Sequence, residues 1–295
     1  MKNMCFIVNP CSGKMKIKPA LLDVIQLFNE ALYNVDVKVT LRRGHAIDIA
    51  ANIADDVDII AVSGGDGTLN EVLTGLLKSG KKLPVGYIPA GSTNDFAATF
   101  GIPNEPKKAA MQIVSGDRMD IDIGRFGSSR YFSYIASFGI FTAASYKTPQ
   151  NVKNTFGHLA YVLEGIKDMT NIVPHRVRVE TDDNVYEGEY IFGSVTNTTS
   201  VGGIVKFDKE LVKMNDGLFE IVLVKNPANI NELSKIIVGC TNSNFTDSVF
   251  EFIKTRKVKM TFESDMDWSV DGEHERTGKE IEIENLMQAA TIIGR

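Results

Sequence analysis

The sequence predicts an α/β amino-terminal domain built on a parallel sheet, followed by a mainly antiparallel β-sandwich domain. Three observations carry this. From Lys2 to about Arg118, short apolar runs alternate with stretches of helical periodicity, as βαβ units with both faces covered require. After Met119 the period falls to two, with turn residues between the runs. Two of the early apolar runs also end in small-residue turns that enter helices, which puts both turns at the ligand-binding edge of a parallel sheet. Residues 1–119 are assigned to the first domain and 120–295 to the second, with 290–295 as a segment that can return to the first.

In chain order, Cys5 to Val8 is a strand, Lys18 to Ala31 a helix, Asp36 to Leu41 a strand and Ala46 to Ile53 a helix. Val57 to Val62 is a buried strand that runs through Gly64-Gly65-Asp66-Gly67 into a helix from Thr68, the three glycines supplying freedom for a sharp turn. Leu83 to Pro89 is a second such strand, followed by Ala90-Gly91-Ser92-Thr93-Asn94-Asp95 and another helix. Pro106 to Ser115 closes the series, ended by Gly116. The strands of the second domain are Asp120 to Arg125, Tyr131 to Ile140, Arg176 to Thr181, Val185 to Thr196, Gly217 to Val224, Val258 to Phe262, Asp267 to Val270, Glu280 to Glu284 and Ala290 to Ile293. Asp182-Asp183-Asn184 is a hairpin turn. Helical insertions are expected over Val152 to Thr170 and from Asn229 to Lys254. No Pro/Gly/Ser linker separates the domains, so a fixed pair with a shared cleft is expected.

Composition narrows the function classes. The 295 residues are 43% hydrophobic and 23% charged, enough for two cores. No stretch approaches the roughly 20 apolar residues of a membrane span, and the apolar run before Asn9-Pro10 is too short for a secretory signal. A cytoplasmic protein is expected. A net charge of −5 gives no reason to expect nucleic-acid binding. Three cysteines without CxxC spacing indicate neither a disulfide framework nor a zinc site. Four scattered histidines form no HxxxH pair, and only His274, next to Glu273, merits watching.

The turn at Gly64 to Thr68 carries the chemistry. Backbone amides at a strand-to-helix junction point outward, with the positive end of the helix dipole behind them, which favours a phosphate chain. Asp66 in its centre would repel that phosphate unless a divalent cation intervened, so the pattern points to Mg²⁺ and nucleotide together. Lys14, in Ser12-Gly13-Lys14, is either a point charge on a phosphate or a solvated loop lysine.

GGDGT at Gly64 to Thr68, PAGSTNDFA at Pro89 to Ala97 and DGE at Asp271 to Glu273 together resemble the soluble bacterial diacylglycerol kinase family, relatives of sphingosine and ceramide kinases. Asn9-Pro10, Thr40 with Gly44-His45-Ala46, Ser200 to Gly203 and Met214-Asn215-Asp216-Gly217 fall in the family's order, so the resemblance spans nearly the whole chain. NAD kinases share the first turn but not the NDF continuation. The resemblance implies an NAD kinase/diacylglycerol kinase-like first domain that binds ATP through Gly64, Gly65, Asp66, Gly67 and Thr68, the following helix (Leu69, Asn70, Glu71, Val72), and Gly91 and Ser92. It adds Asn9, Thr40 and Thr93 as nucleotide contacts.

For the catalytic Mg²⁺ the candidates are Asp66, Asp95 and Asp122, linked through water. Asp95 reads equally as a helix-start aspartate. Asp120 shares a sheet face with Asp122, and family position favours Asp122. The resemblance makes Glu273 the general base that takes the acceptor's proton. It also implies a structural Mg²⁺ on the Asp216 carboxylate and the carbonyls of Lys213 and Leu218, where the residues alone support a plain Asx turn as well. Phe207 to Leu211 departs from the family's usual Pro-Ala element.

The expected reaction is transfer of the γ-phosphate of ATP to the hydroxyl of diacylglycerol or a similar lipid, giving phosphatidic acid. Alternatives are a sphingoid, ceramide or phosphatidylglycerol kinase, an NAD kinase, or a non-catalytic nucleotide or lipid sensor. Phe138, Ile140, Phe141, Tyr146, Phe156, Leu159, Tyr161 and Leu163, with Lys147, Lys153 and Lys167, form either an acceptor surface touching the bilayer or an amphipathic helix packed on a sheet. Transient contact with the inner face of the membrane is expected, and a homodimer is typical of similar proteins.

Overall fold

The computed structural model describes residues 1–13, 17–92, 94–140, 173–198, 200–201, 205–206, 212–242 and 244–294. Lys14, Thr93, the 141–167 candidates for the acceptor surface, the helix expected over Val152 to Thr170 and the Phe207 to Leu211 departure lie outside these residues. The chain forms two compact units, Met1–Ile121 with Gln288–Arg295, and Asp122–Met287.

In the first unit, β1 (Lys2–Val8), β2 (Tyr33–Val39), β3 (Ile59–Gly64) and β4 (Pro84–Pro89) form a parallel sheet in the order β4-β3-β1-β2. The end of β17 (Glu280–Gly294) adds a parallel strand beside β4, with Thr291 opposite Pro84. The central strands are buried along nearly their whole length, which is why they read as continuous apolar runs. Helices α1 (Ile17–Glu30), α2 (His45–Ala51), α3 (Asp66–Ser79), α4 (Asp95–Thr99) and α5 (Pro106–Ser115) follow their strands. In α1, Ile17, Val24 and Phe28 recur at helical spacing and are buried, and Phe28 meets Phe6 of β1 edge to face at 5.7 Å. Pro106 starts α5, where its missing N–H costs nothing.

The second unit is antiparallel. Its strands are β5 (Asp117–Phe126), which begins in the first unit, β6 (Arg130–Phe132), β7 (Ile135–Gly139), β8 (His175–Thr181), β9 (Val185–Thr196), β10 (Ser200–Val201), β11 (Val205–Lys206), β12 (Phe219–Lys225), β13 (Phe250–Thr255), β14 (Lys257–Phe262), β15 (Met266–Val270), β16 (Glu273–Thr277) and the start of β17. One core gathers Phe126, Phe132, Phe138, Phe219, Phe262 and Trp268. A second lies under α6 (Ile230–Asn242), around Phe192, Val222, Ile236 and Phe250. Phe138 therefore belongs to the first of these cores, 5.1 Å from the Trp268 ring, and not to an acceptor surface.

Several expectations are corrected. The Asn229 to Lys254 region is helical only through α6; Phe250–Thr255 is a strand, because its alternating residues pair with β12 from Phe219↔Thr255 to Val224↔Phe250. Tyr131 to Ile140 is two strands, broken at Ser133 and Tyr134. Glu280 to Ile293 is one strand, and the polar EHERT segment is β16, an edge strand that among the described residues pairs only with β15. None of Gly64, Gly65 and Gly67 has a positive φ. What Gly64 and Gly65 provide is space: a Cβ on Gly64 would lie 2.4 Å from Thr68 Cβ, and one on Gly65 3.3 Å from Gly91 Cα. Among the described residues, no helix is long and apolar enough to cross a membrane.

Candidate active site

Three turns meet at the carboxyl edge of the parallel sheet, after β1, β3 and β4. They touch backbone to backbone: a Cβ on Gly13 would stand 2.3 Å from Ala90 O, and one on Gly91 2.7 Å from Gly65 Cα. Asn9 ties two of them together. Its amide N–H bonds Ser63 O at 2.8 Å, its Oδ1 accepts from Cys11 N at 3.0 Å, and its Nδ2 donates to Thr68 Oγ1 at 2.9 Å. Helix α3 starts at Asp66 with no side chain capping it, the arrangement that favours an anion, although the Thr68 N–H is taken by Gly65 O at 2.9 Å.

Asp66 and Asp95 are brought together here. Asp66 Oδ2 accepts from the Asp95 N–H at 3.0 Å, and Tyr87 Oη lies 3.4 Å from Asp66 Oδ1 and 3.2 Å from Gly64 O. Burial, then the Asp66 charge, holds the Tyr87 phenol well above its usual range, so it remains a donor. Asn94 sits at φ 55, a conformation asparagine tolerates, with Oδ1 accepting from Gly91 N at 2.9 Å and Nδ2 donating to Gly91 O at 3.2 Å. This local bracket shapes the second turn. Ser92 and Gly67 are exposed, and Gly91 is half-buried.

The remaining nucleotide candidates divide. Thr40 is buried, with its N–H on Val8 O at 2.9 Å. Leu69, Asn70 and Val72 lie on the buried face of α3, and Asn70 Oδ1 accepts from Thr74 Oγ1 at 3.3 Å. Glu71 turns to α2, where Oε1 accepts from Gly44 N at 2.8 Å and Oε2 from Ala46 N at 3.2 Å. It caps a neighbouring helix that has no cap of its own.

In the second unit, Asp271 and Gly272 form the two-residue turn between β15 and β16, with φ of 49° and 79° and Val270 opposite Glu273. That is a type I′ turn, which Asp-Gly favours. The Asp271 carboxylate is buried and accepts from Ser133 N (2.7 Å), Ser133 Oγ (3.0 Å), Tyr134 N (3.2 Å) and Ile135 N (3.0 Å). Burial pushes its pKa up, against the pull of those four donors. Glu273 follows, about a third exposed, with Oε2 2.6 Å from Arg130 Nη2. His274 points elsewhere: its Nε2 pairs with Asp267 Oδ1 at 3.0 Å on an exposed face.

Asp122 is fully buried and acts as a staple. Its N–H bonds Met214 O at 2.8 Å and its Oδ2 accepts from Gly217 N at 2.7 Å. Asp216 Oδ1 accepts from Leu218 N at 3.1 Å, an Asx turn, with Gly217 at φ 78. Asp120 instead joins Lys82 at 2.9 Å and Thr291 Oγ1, and the Thr291 hydrogen bond, then Lys82, lowers its pKa. Among the described residues, no group of three or more His, Cys, Asp or Glu side chains is placed to hold a metal. A hard cation on the 213–218 loop would therefore rest on one carboxylate and main-chain carbonyls, an oxygen-only donor set of the kind Mg²⁺ takes.

Sequence reasoning missed Arg130, Tyr87, the cap made by Glu71 and the anchoring of Asp271. The Asp-Gly dipeptide signals the turn, but nothing local to GRFGSSRYF signals that Arg130 reaches Glu273.

Residues 3–126 match the diacylglycerol kinase catalytic domain family, and residues 135–284 match the YegS C-terminal NAD kinase beta sandwich-like domain. The chain is similar to the diacylglycerol kinase of Bacillus subtilis (strain 168), 35% identical over 277 residues that cover 93% of this chain and 90% of that one. It is also similar to that of Staphylococcus saprophyticus, at 32% identity over 92% of this chain and 89% of the relative. A solved structure from Bacillus anthracis str. Sterne superposes with a TM-score of 0.85 at 26% identity, covering 100% of this chain and 97% of the other.

Proposed function

We infer the reaction from one premise: the chain belongs to the diacylglycerol kinase family. It is a lipid kinase, its phosphoryl donor is ATP, and its acceptor is a lipid. We propose diacylglycerol as that lipid, with phosphatidic acid as product. The acceptor hydroxyl oxygen bonds to the γ-phosphorus, the bond to ADP breaks, and the hydroxyl proton passes to Glu273.

The observation that carries this reading is the Asp66–Asp95 contact at an uncapped helix terminus, because it combines an anion-binding turn with acidic groups beside it. The amides of Asp66 and Gly67 hold the phosphates, with Asn9, Thr40, Gly91 and Ser92 around them and Lys14 and Thr93 as further contacts. Asp66 and Asp95 would hold Mg²⁺ through water, and Asp122 contributes by fastening the Met214–Gly217 loop. Bound Mg²⁺ supplies positive charge that offsets the triphosphate. Asp216, with the carbonyls of Lys213 and Leu218, would hold a second, structural ion. Arg130 fixes the direction of the Glu273 carboxylate, and the Asp271 anchor fixes the turn from which it projects. Drawing a lipid from a bilayer supports transient contact with the inner face of the membrane, and the family supports a homodimer.

The test is transfer of labelled γ-phosphate to diacylglycerol, ceramide, phosphatidylglycerol and NAD in mixed micelles. Label in phosphatidic acid is expected; label in NAD alone would overturn the lipid reading. Glu273→Gln is expected to keep nucleotide affinity, measured by calorimetry, and to lower turnover at least about a hundredfold.

A further inference from the structure

One buried carboxylate has no part in this scheme. Glu220, at the start of β12, is completely excluded from solvent. Lys254 Nζ, itself on a side chain 35% exposed, lies 3.2 Å from its Oε1, while Oε2 meets no hydrogen-bond donor among the described residues. The strand register explains its surroundings: Glu220 stands opposite Lys254 on β13 and Thr196 on β9, just past the 213–218 loop. Asn197, the residue after Thr196, is also buried. Its Nδ2 faces Asp122 O at 3.3 Å and Met214 O at 3.5 Å, and its Oδ1 meets no donor among the described residues. Buried polar atoms in native proteins are nearly always paired, and an orphaned set marks the place of a water or an ion. These orphaned atoms are all oxygens, and Asp216 lies four residues before Glu220 on the chain that enters β12. Oxygens alone, with two carboxylates among them, call for a hard cation.

We propose that Glu220 and Asn197 complete a buried divalent-cation site on the 213–218 loop, Glu220 supplying a second negative charge beside Asp216 and Asn197 a neutral oxygen. This rests on the reading of Asp216 as a cation ligand. It gives the loop a cation site with a charged wall on the β12 side, and it makes Lys254 the group that neutralises Glu220 when no cation is bound.

Melting of the full chain, followed by circular dichroism across a MgCl₂ titration, tests it. The unaltered protein is expected to gain stability with Mg²⁺, Asp216→Ala to lose that gain, and Glu220→Gln to require at least about tenfold more Mg²⁺ for half the gain. If Glu220→Gln titrates with the same midpoint while Asp216→Ala does not respond, Glu220 is only the ion-pair partner of Lys254, and the Asp216 reading stands alone. No response in the unaltered protein would overturn both. Lys254→Met provides a second arm: saturating Mg²⁺ is expected to restore its melting to the unaltered value, and persistent loss in Mg²⁺ would refute the site.

Discussion

Arg130 and Glu273 lie 143 positions apart in the chain and meet at 2.6 Å, each still partly open to solvent. The pair holds the carboxylate in one direction, as the proposed role of Glu273 as general base requires. Arg130→Ala is expected to lower kcat about ten- to a hundredfold with little change in KM for ATP, and Arg130→Lys to recover part of it. Steady-state kinetics on both variants check this. The cysteines and one histidine also lend themselves to measurement. Burial pushes the Cys5 and Cys240 thiols up to about 11, whereas Cys11 is exposed, so one thiol should react rapidly with a disulfide reagent in the native protein and three after denaturation. Half-buried His175 has its pKa lowered from 6.5 by desolvation, so the unfolded chain takes up a proton first as pH falls. Its contribution to stability is complete above pH 6.5 and is lost as pH drops through the lowered value. His175→Gln should accordingly show a smaller fall in melting temperature between about pH 7 and pH 5. Residue types and local spacing single out Asp66 and Asp95 as candidates, and the family resemblance singles out Glu273; Arg130, Tyr87 and the cap made by Glu71 leave no such mark, because their partners are set by register and helix packing far along the chain.

At the scale of elements, the β15–β16 hairpin shows how a turn can be fastened from outside. Asp271 takes a left-handed backbone for the turn and spends its carboxylate on the segment 133–135. Asparagine could keep the backbone but would turn an N–H₂ group toward amide donors. Asp271→Asn is therefore expected to cost about 2 kcal/mol in urea unfolding and to lower turnover as well. Glu71 does the corresponding service for α2, and Glu71→Ala should cost about 1 kcal/mol, read in the same way. Strands and helices of the first unit were readable because their apolar runs and helical spacings are unambiguous. The misreading of Phe250–Thr255 has a physical origin: it follows α6 closely, and apolar side chains at Phe245, Val249, Phe250 and Ile253 mimic a helical stripe. The sharply polar β16 escaped because an edge strand with one neighbour needs no apolar alternation.

At the scale of the molecule, the first unit is not continuous in sequence. It is completed by Gln288–Arg295, with Thr291, Ile292 and Ile293 pairing beside β4. Gln288, where this segment begins, has a left-handed φ of 52°. Removing residues 288–295 should uncover β4 and make the first unit sensitive to limited proteolysis, with loss of ATP affinity, while the second unit keeps its resistance. The alternation of strands and helices revealed the class of each unit, but a strand that departs one core to finish another leaves no mark in local periodicity. Its position has a consequence for biosynthesis. A ribosome makes β1 to β4 early and the partner of β4 only after the second unit, so the nascent first unit must wait, its sheet open along one margin, until every residue of the other unit has been translated.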